Sequence, residues 1–401
     1  MLTRILLVPS SDYLGHPFPQ RHNQIFERLH DGKNFEVHVA AFGLFESQKL
    51  NTKLRIHVLR GSPRLGGAAY YLANMLCHAH EIAKIVADER IDLVVLSNLA
   101  APFAYVLLSH LTRREVPIVL DLPDYYPTSA TGYITDVHGF SGKLLAATFD
   151  LMLRYIIRHS DAVTAPSRTL LRYAKRYGAR QVFYVPNGIS EEFLTLHDGR
   201  IIREKLGFGQ MDLIVGYVGS IDFWLDLRPF LASISLAKKM GLKVKGLLIG
   251  RGLHTQTYSN RVTSWIAREG LQEDVTRLDF VPHKEVPEYM AAIDVGTIPF
   301  DIKNLTALYS APIKIWEYLS QKKPVISSPI PETLDNSDCL LVASEPFQYL
   351  RHFSSIHSSD MQVAEKVRIG YDRACRNTWK RSVECFVSTC EKVMEEHGRA
   401  K

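Results

Sequence analysis

The residues with the plainest chemical reading lie in Ser310-Ala-Pro-Ile-Lys314-Ile-Trp-Glu317-Tyr-Leu-Ser. Ser310 suits a helix N-cap and Pro312 a first turn, so the spacing predicts a helix opening here. The free N–H groups and the dipole at such an end attract an anion, for which a diphosphate has the right charge. Lys314, one turn in, reaches the same anion. Glu317, three residues on, shares the face of Lys314 and can accept two hydrogen bonds from a ribose diol. On a solvated helix the same i,i+3 spacing is an ordinary ion pair of about 0.2–0.5 kcal/mol.

Two strand–glycine turns precede it. In Val218-Gly219-Ser220 the glycine permits a tight turn and close backbone approach to a ligand. In Ile249-Gly250-Arg251-Gly252 an arginine between glycines can fork onto phosphate oxygens. Neither G-x-G-x-x-G nor G-x-x-x-x-G-K-[ST] occurs at these turns, so a dinucleotide fingerprint and P-loop chemistry are not expected. Nearer the start, the Gly/Pro-rich loop Ser10–Gln20 passes through Gly15 and ends at Arg21, which suits a phosphate contact. Asp121 and Asp124, after an apolar strand, could orient a hydroxyl or take its proton, or serve only as turn and cap residues. His16, His138 and His283 are weaker candidates, since a lone histidine is usually structural.

Short β-branched runs alternate with longer helical stretches along both halves. Near-continuous apolar strands such as Leu93–Leu96 and Ile118–Asp121 predict parallel sheets covered on both faces. The turn Val185-Pro-Asn-Gly188 marks a junction. The expectation is α/β: two tandem Rossmann-like, doubly wound domains facing a cleft. Residues 1–188 form the first, 189–377 the second, and 378–401 a helix crossing back to the first. Ligands in such sheets bind outside the carboxyl ends of the strands.

The chain has 401 residues, too many for one ordinary core. Its 46% hydrophobic and 22% charged residues fit a globular protein and argue against disorder. No apolar run approaches the ~18 residues of a spanning helix, and the short run at Met1–Pro9 does not read as a signal peptide core. Residence in the cytoplasm is expected, at the inner face of the cell membrane if the chain docks there. The five cysteines are odd in number and lack a C-x-x-C pair, which predicts free thiols without a disulfide or zinc framework. Up to Ser190 there are 21 Lys and Arg against 15 Asp and Glu, so the whole excess of +6 lies in the first half and suits an anionic partner. The apolar stretch Ser141–Arg158, with Lys143, Arg154 and Arg158, and the nearby Arg172, Lys175 and Arg176 suit docking on an anionic bilayer.

The run of turns at Gly219-Ser220 and Gly250-Arg251-Gly252, then Phe280-Val-Pro-His283 to Asp294-Val-Gly-Thr-Ile-Pro299, Pro312-Ile-Lys314-Ile-Trp-Glu317-Tyr318 and Lys323-Pro-Val-Ile326, resembles the donor-binding domain of GT-B-fold retaining glycosyltransferases, the family 4 group. The resemblance implies a hexosyltransferase-type enzyme taking a UDP- or GDP-sugar as co-substrate, without a separate cofactor. Its acceptor would be a glycan or polyprenyl-linked glycan in polysaccharide biosynthesis, with peripheral membrane contact and no nucleic acid. It gives Gly219, Ser220, Arg251, Gly252, Ser310, Lys314 and Glu317 to the donor, and Gly15 and Arg21 to the acceptor. Lys314 and Arg251 would stabilise the departing diphosphate, with Asp121 and Asp124 as further catalytic candidates. Glu317 resembles the second glutamate of that family's E-x7-E element; Tyr309 stands where the first would be. Ile221-Asp-Phe-Trp-Leu-Asp226 replaces the usual Arg and Lys, so Arg251 and Lys314 would supply the lost charge. Asp301-Ile-Lys303 breaks a D-x-D pair, which implies transfer without a metal. A GT-B-type nucleotide-sugar epimerase and a basic nucleic-acid-binding or scaffold protein are the alternatives. The second lacks an aromatic RNA platform or a helix-turn-helix signature.

Overall fold

The computed structural model describes residues 2–15, 19–43, 51–61, 67–112, 116–132, 134, 139–252 and 256–400. The chain divides into two compact units, Met1–Asn187 with Trp379–Lys401, and Gly188–Thr378. His16 and His138 lie outside the described residues.

The first unit holds a seven-stranded sheet of β1 (Thr3–Val8), β2 (Phe35–Phe42), β3 (Arg55–Leu59), β4 (Leu93–Leu96), β5 (Ile118–Asp121), β6 (Ala162–Ala165) and β7 (Val182–Tyr184). All neighbours are parallel, in the order β3-β2-β1-β4-β5-β6-β7. β4, β5 and β6 are buried along their whole length, as a sheet covered by helices on both faces requires. The second unit repeats the plan with β8 (Leu213–Val218), β9 (Val244–Ile249), β10 (Val275–Leu278), β11 (Val295–Ile298), β12 (Val325–Ser327) and β13 (Leu341–Val342). Their order is β10-β9-β8-β11-β12-β13, again parallel. The winding reverses between β1 and β4, and between β8 and β11, the places where such sheets take ligands.

Between β3 and β4 the chain forms two helices, Gly67–Ala73 and Met75–Asp88, with Asn74 at the break. The helix Ala100–Leu111 gave no amphipathic signal because apolar residues surround most of its circumference. The closing helix Trp379–Ala400 sets Phe386 edge-on against Phe26, centroids 5.1 Å apart.

One contact in the second unit fixes where the Lys314 segment sits. The Tyr318 ring lies flat on Gly296 of β11, where an added Cβ would stand 2.4 Å from the ring. The Tyr318 hydroxyl accepts from the Val218 backbone N–H at 2.9 Å, at the end of β8. A glycine is therefore needed to let the helix approach the sheet this closely. Gly296→Ala should lower unfolding free energy by about 1–3 kcal/mol through overpacking; a denaturant midpoint unchanged from wild type would refute this.

Candidate functional site

In the second unit the carboxyl ends of β8 and β9 form one layer. Gly219 N–H donates to Ile249 O at 2.9 Å, Gly250 N–H to Leu278 O at 3.0 Å, and Ile221 N–H to Arg251 O at 3.1 Å. Both glycines take positive φ, +152° and +124°, and a Cβ at Gly250 would lie 2.0 Å from the Gly219 carbonyl oxygen. These glycines thus pack turn against turn, which holds the two strand ends side by side. The Ser220 carbonyl accepts from the Tyr217 hydroxyl at 2.9 Å, and Gly252 is buried. The Arg251 side chain is exposed, 3.4 Å from Asp279, with its guanidinium 5.6 Å from the Phe280 ring centre. An exposed pair of this kind contributes about 0–1 kcal/mol, so Arg251 can exchange it for a phosphate at little cost.

The helix carrying the lysine and glutamate runs Lys314–Ser320, capped by Ile313. Ser310 is not its N-cap. It ends the preceding helix, Leu305–Tyr309, and its hydroxyl donates to Ala307 O at 2.8 Å. Ser310 is extended, and Pro312 and Ile313 supply carbonyl acceptors to Ile315 and Trp316, so the next helix opens only at Lys314. The seven-residue helix leaves Lys314 at its start, so the side chain, more than the backbone dipole, brings the positive charge.

Lys314 Nζ is 2.6 Å from Glu317 Oε2. Glu317 is 3% exposed and the Lys314 side chain 24%, so the carboxylate is buried under a half-buried lysine and the pair is not the fully solvated one that the spacing alone allows. The hydrogen bond between the Tyr318 hydroxyl and Val218 N–H ties the helix that carries the pair to the end of β8. His283 belongs to the same group: burial lowers its pKa, while the charges of Glu317 and Lys314 act on it in opposite senses. The sequence offered no signal for that neighbourhood, since His283 lies 31 residues from Lys314 on a separate loop.

The segment that stands in place of the family's Arg and Lys is bound to the loop after β11. Asp226 N–H donates to Pro299 O at 2.8 Å, Asp301 N–H to Trp224 O at 2.9 Å, and Asn304 Nδ2 to Phe223 O at 3.2 Å. Asn304 also caps the helix that ends at Tyr309. The two loops flanking the reversal between β8 and β11 are therefore one hydrogen-bonded piece.

In the first unit, Arg21 and Asp121 come together 100 residues apart in sequence. Arg21 Nε and Nη2 donate to the two Asp121 oxygens, each at 3.1 Å. Its remaining donors reach Val185 O, Pro186 O and Asn187 Oδ1 at 2.9–3.1 Å. His22 Nε2 lies 3.1 Å from Asp121, and the Thr164 hydroxyl donates to it at 2.7 Å. Asp121 is 1% exposed. Burial alone would raise its pKa, but the Arg21 charge and the His22 hydrogen bond outweigh that and hold it well below the usual carboxylate range. The structure thus corrects two expectations. Asp121 is too acidic and too fully bonded to act as a base, and Arg21 has its donors committed within the unit and none spare for a phosphate. Both are positioning residues that lock β5, β6 and the 185–187 turn. His22 and Thr164 complete the brace, and neither stood out in the sequence.

Asp124, three residues on, is solvent-exposed. Of the two acids it is the one left with proton-accepting capacity. Gly15 lies in a bend of the loop after β1, where the Asp12 carboxylate accepts from Leu14 N–H at 3.1 Å.

With this geometry in hand, comparisons with known proteins bear on both halves. Residues 24–193 match the family described as Glycosyltransferase Family 4, and residues 212–356 match Glycosyl transferases group 1. The chain is 23% identical over 243 residues to the putative teichuronic acid biosynthesis glycosyltransferase TuaH of Bacillus subtilis. That alignment covers 57% of this chain and 54% of TuaH, about half the length of the relative. Among solved structures, sucrose-phosphate synthase from Thermosynechococcus elongatus superposes with a TM-score of 0.80 at 13% identity, over 98% of this chain and 100% of that one. Anabaena HepE in complex with UDP-glucose gives 0.73 at 17% identity, over 97% and 99%. At those identities the superpositions establish a shared fold. Two family matches in chain order, over two parallel doubly wound sheets, show that the chain belongs to the GT-B-fold, family 4-like glycosyltransferases.

Proposed function

We propose that the protein transfers a sugar, with retention of anomeric configuration and without a metal, from a nucleotide-sugar to a glycan or lipid-linked acceptor of a surface polysaccharide. The observation that carries this reading is the pairing of Lys314 with the buried Glu317, on a helix fastened through Tyr318 to the end of β8. Glu317 accepts the ribose hydroxyls and Lys314 meets the diphosphate. Arg251 leaves Asp279 for the same phosphates. Two cations then neutralise the charge that grows on the departing diphosphate, the step at which fixed charge lowers the barrier. The leaving phosphate takes the acceptor proton on the face it vacates, and Asp124 orients the incoming hydroxyl. A uridine nucleotide is the first candidate, since HepE was solved with UDP-glucose. The polysaccharide reading draws on TuaH. Nothing in the family matches favours an epimerase or a nucleic-acid-binding protein.

Thermal shift against UDP-, GDP- and ADP-sugars tests the donor. A ligand present at 100 times its Kd stabilises the folded state by about 2.7 kcal/mol. One nucleotide class should raise the melting temperature, and Arg251→Ala should need about 10-fold more of it for the same shift. No shift with any nucleotide-sugar would defeat the reading.

Membrane contact is the second part of the proposal. Among the described residues no helix is long and apolar enough to cross a membrane. The helix Phe140–His159 buries Phe149, Leu153, Ile156 and Ile157. Its opposite side carries Phe140, Leu144 and Leu151, 86%, 62% and 65% exposed. At about 100° per residue these fall on one narrow stripe that Arg158 shares and Lys143 borders. An apolar stripe with basic neighbours suits shallow insertion in an anionic bilayer. Arg172, Lys175 and Arg176 are exposed on the next helix. Charge reversal of these three to glutamate should abolish sedimentation with phosphatidylglycerol vesicles while neutral vesicles stay unbound; sedimentation equal to wild type would refute the docking.

A further inference from the structure

We propose that His38, His57 and Glu89 form a site for one divalent cation of the zinc type, which ties the edge of the first sheet. The register of β2 on β3 pairs His38 with Arg55 and Ala40 with His57, so the two histidines are diagonal neighbours on one face. His38 Nδ1 and His57 Nε2 are 3.0 Å apart, with ring planes within 5° of parallel. Glu89 follows the helix Met75–Asp88, and one ligand atom from each of the three residues lies within 4.8 Å of the others. Zinc holds nitrogen and carboxylate ligands at about 2.0–2.2 Å, which sets neighbouring ligand atoms about 3.3 Å apart. With ring centres 5.3 Å apart the two nitrogens meet head-on, as a hydrogen bond between the rings, so taking a cation requires both imidazoles to swing until their lone pairs converge on it and the partly exposed Glu89 side chain to rotate in.

A second observation points the same way. His38 is fully buried, and its other ring nitrogen, Nε2, has no hydrogen-bond partner. It faces Glu36 Oε1 at 3.8 Å. An imidazole bound to metal through one nitrogen and aimed at a carboxylate through the other is the usual arrangement of a zinc ligand. A cation on Nδ1 would fix the proton on Nε2, on the side of Glu36, which a shift of a few tenths of an ångström would bring into hydrogen-bond range. Arg55 supplies positive charge here, 3.0 Å from Glu36 and 3.6 Å from Glu89, but its side chain is 60% exposed and free to swing outward. The cluster lies toward the amino ends of the strands, since Glu89 precedes the start of β4 at Leu93. Ligands of these sheets bind at the other end, so the cation would be structural, joining edge strand β3 and a helix end to β2.

The test uses the full chain without a histidine tag, stripped with a chelator and titrated with Zn(II) and, as a spectroscopic probe, Co(II). The proposal expects one tight zinc per chain, a tetrahedral Co(II) absorption band, and a zinc-dependent rise in melting temperature. His57→Ala should remove all three, and Glu89→Gln should weaken zinc at least 10-fold. Cys77→Ser, which changes an exposed thiol, should leave binding intact. Absence of the Co(II) band in the wild type, equal affinity in His57→Ala, or loss of binding in Cys77→Ser would each overturn it.

Discussion

Replacing Arg21 with alanine should cost about 3–5 kcal/mol of stability, the range for breaking a buried ion pair by removing one partner. The guanidinium holds both oxygens of a carboxylate that is 1% exposed, and without it that charge keeps only His22 and Thr164. The same change frees the carbonyls of Val185 and Pro186 from their donor. Urea unfolding at pH 7 measures the loss; a difference below about 1 kcal/mol would show that the pair is not a brace. Acid provides an independent signature. The folded pKa of Asp121 lies below its unfolded value of about 3.9, so its stabilisation is complete above that value and is lost as pH falls toward the folded pKa. Wild-type stability should therefore decline below about pH 5. In Arg21→Ala the opposing charge is gone and burial favours the protonated acid, so the decline should shrink or change sign. A wild-type slope retained in the variant would assign the acid sensitivity to other carboxylates.

Lys314→Met should reduce transfer from the nucleotide-sugar by about 100-fold or more, the loss typical of removing a charge that stabilises a transition state. It should also destabilise the second unit, because Glu317 is left buried without its partner 2.6 Å away. The two effects separate in the double variant Lys314→Met/Glu317→Gln. Neutralising both groups should restore most of the stability and none of the activity. If the double variant regained turnover together with stability, the pair would be a structural brace like that of Arg21 and Asp121. Equal turnover in Lys314→Met and wild type would remove the lysine from the mechanism altogether.

These two pairs show where the sequence was sufficient and where it was not. Lys314 and Glu317 are three residues apart on one helix, so local periodicity alone puts them on one face. For Arg21 the sequence suggests a phosphate contact and for Asp121 either a substrate-facing or a turn role, because nothing in a linear sequence says that two candidates 100 residues apart will neutralise each other. Ser310 failed for a nearer reason. A serine before Pro312 is equally good at closing one helix or opening the next, and Asn304 had already started a helix that ends there.

Alternation of apolar strands with helices determined the α/β class and the two-unit plan, because burial of a parallel sheet on both faces leaves a mark every few residues along the chain. The tertiary structure alone decided which acid is spent in a brace and which stays exposed, that His283 sits with Lys314 and Glu317, and that His38 meets His57 across two strands. Those facts depend on register and crossover, which bring residues distant in sequence together, and local periodicity carries no record of either.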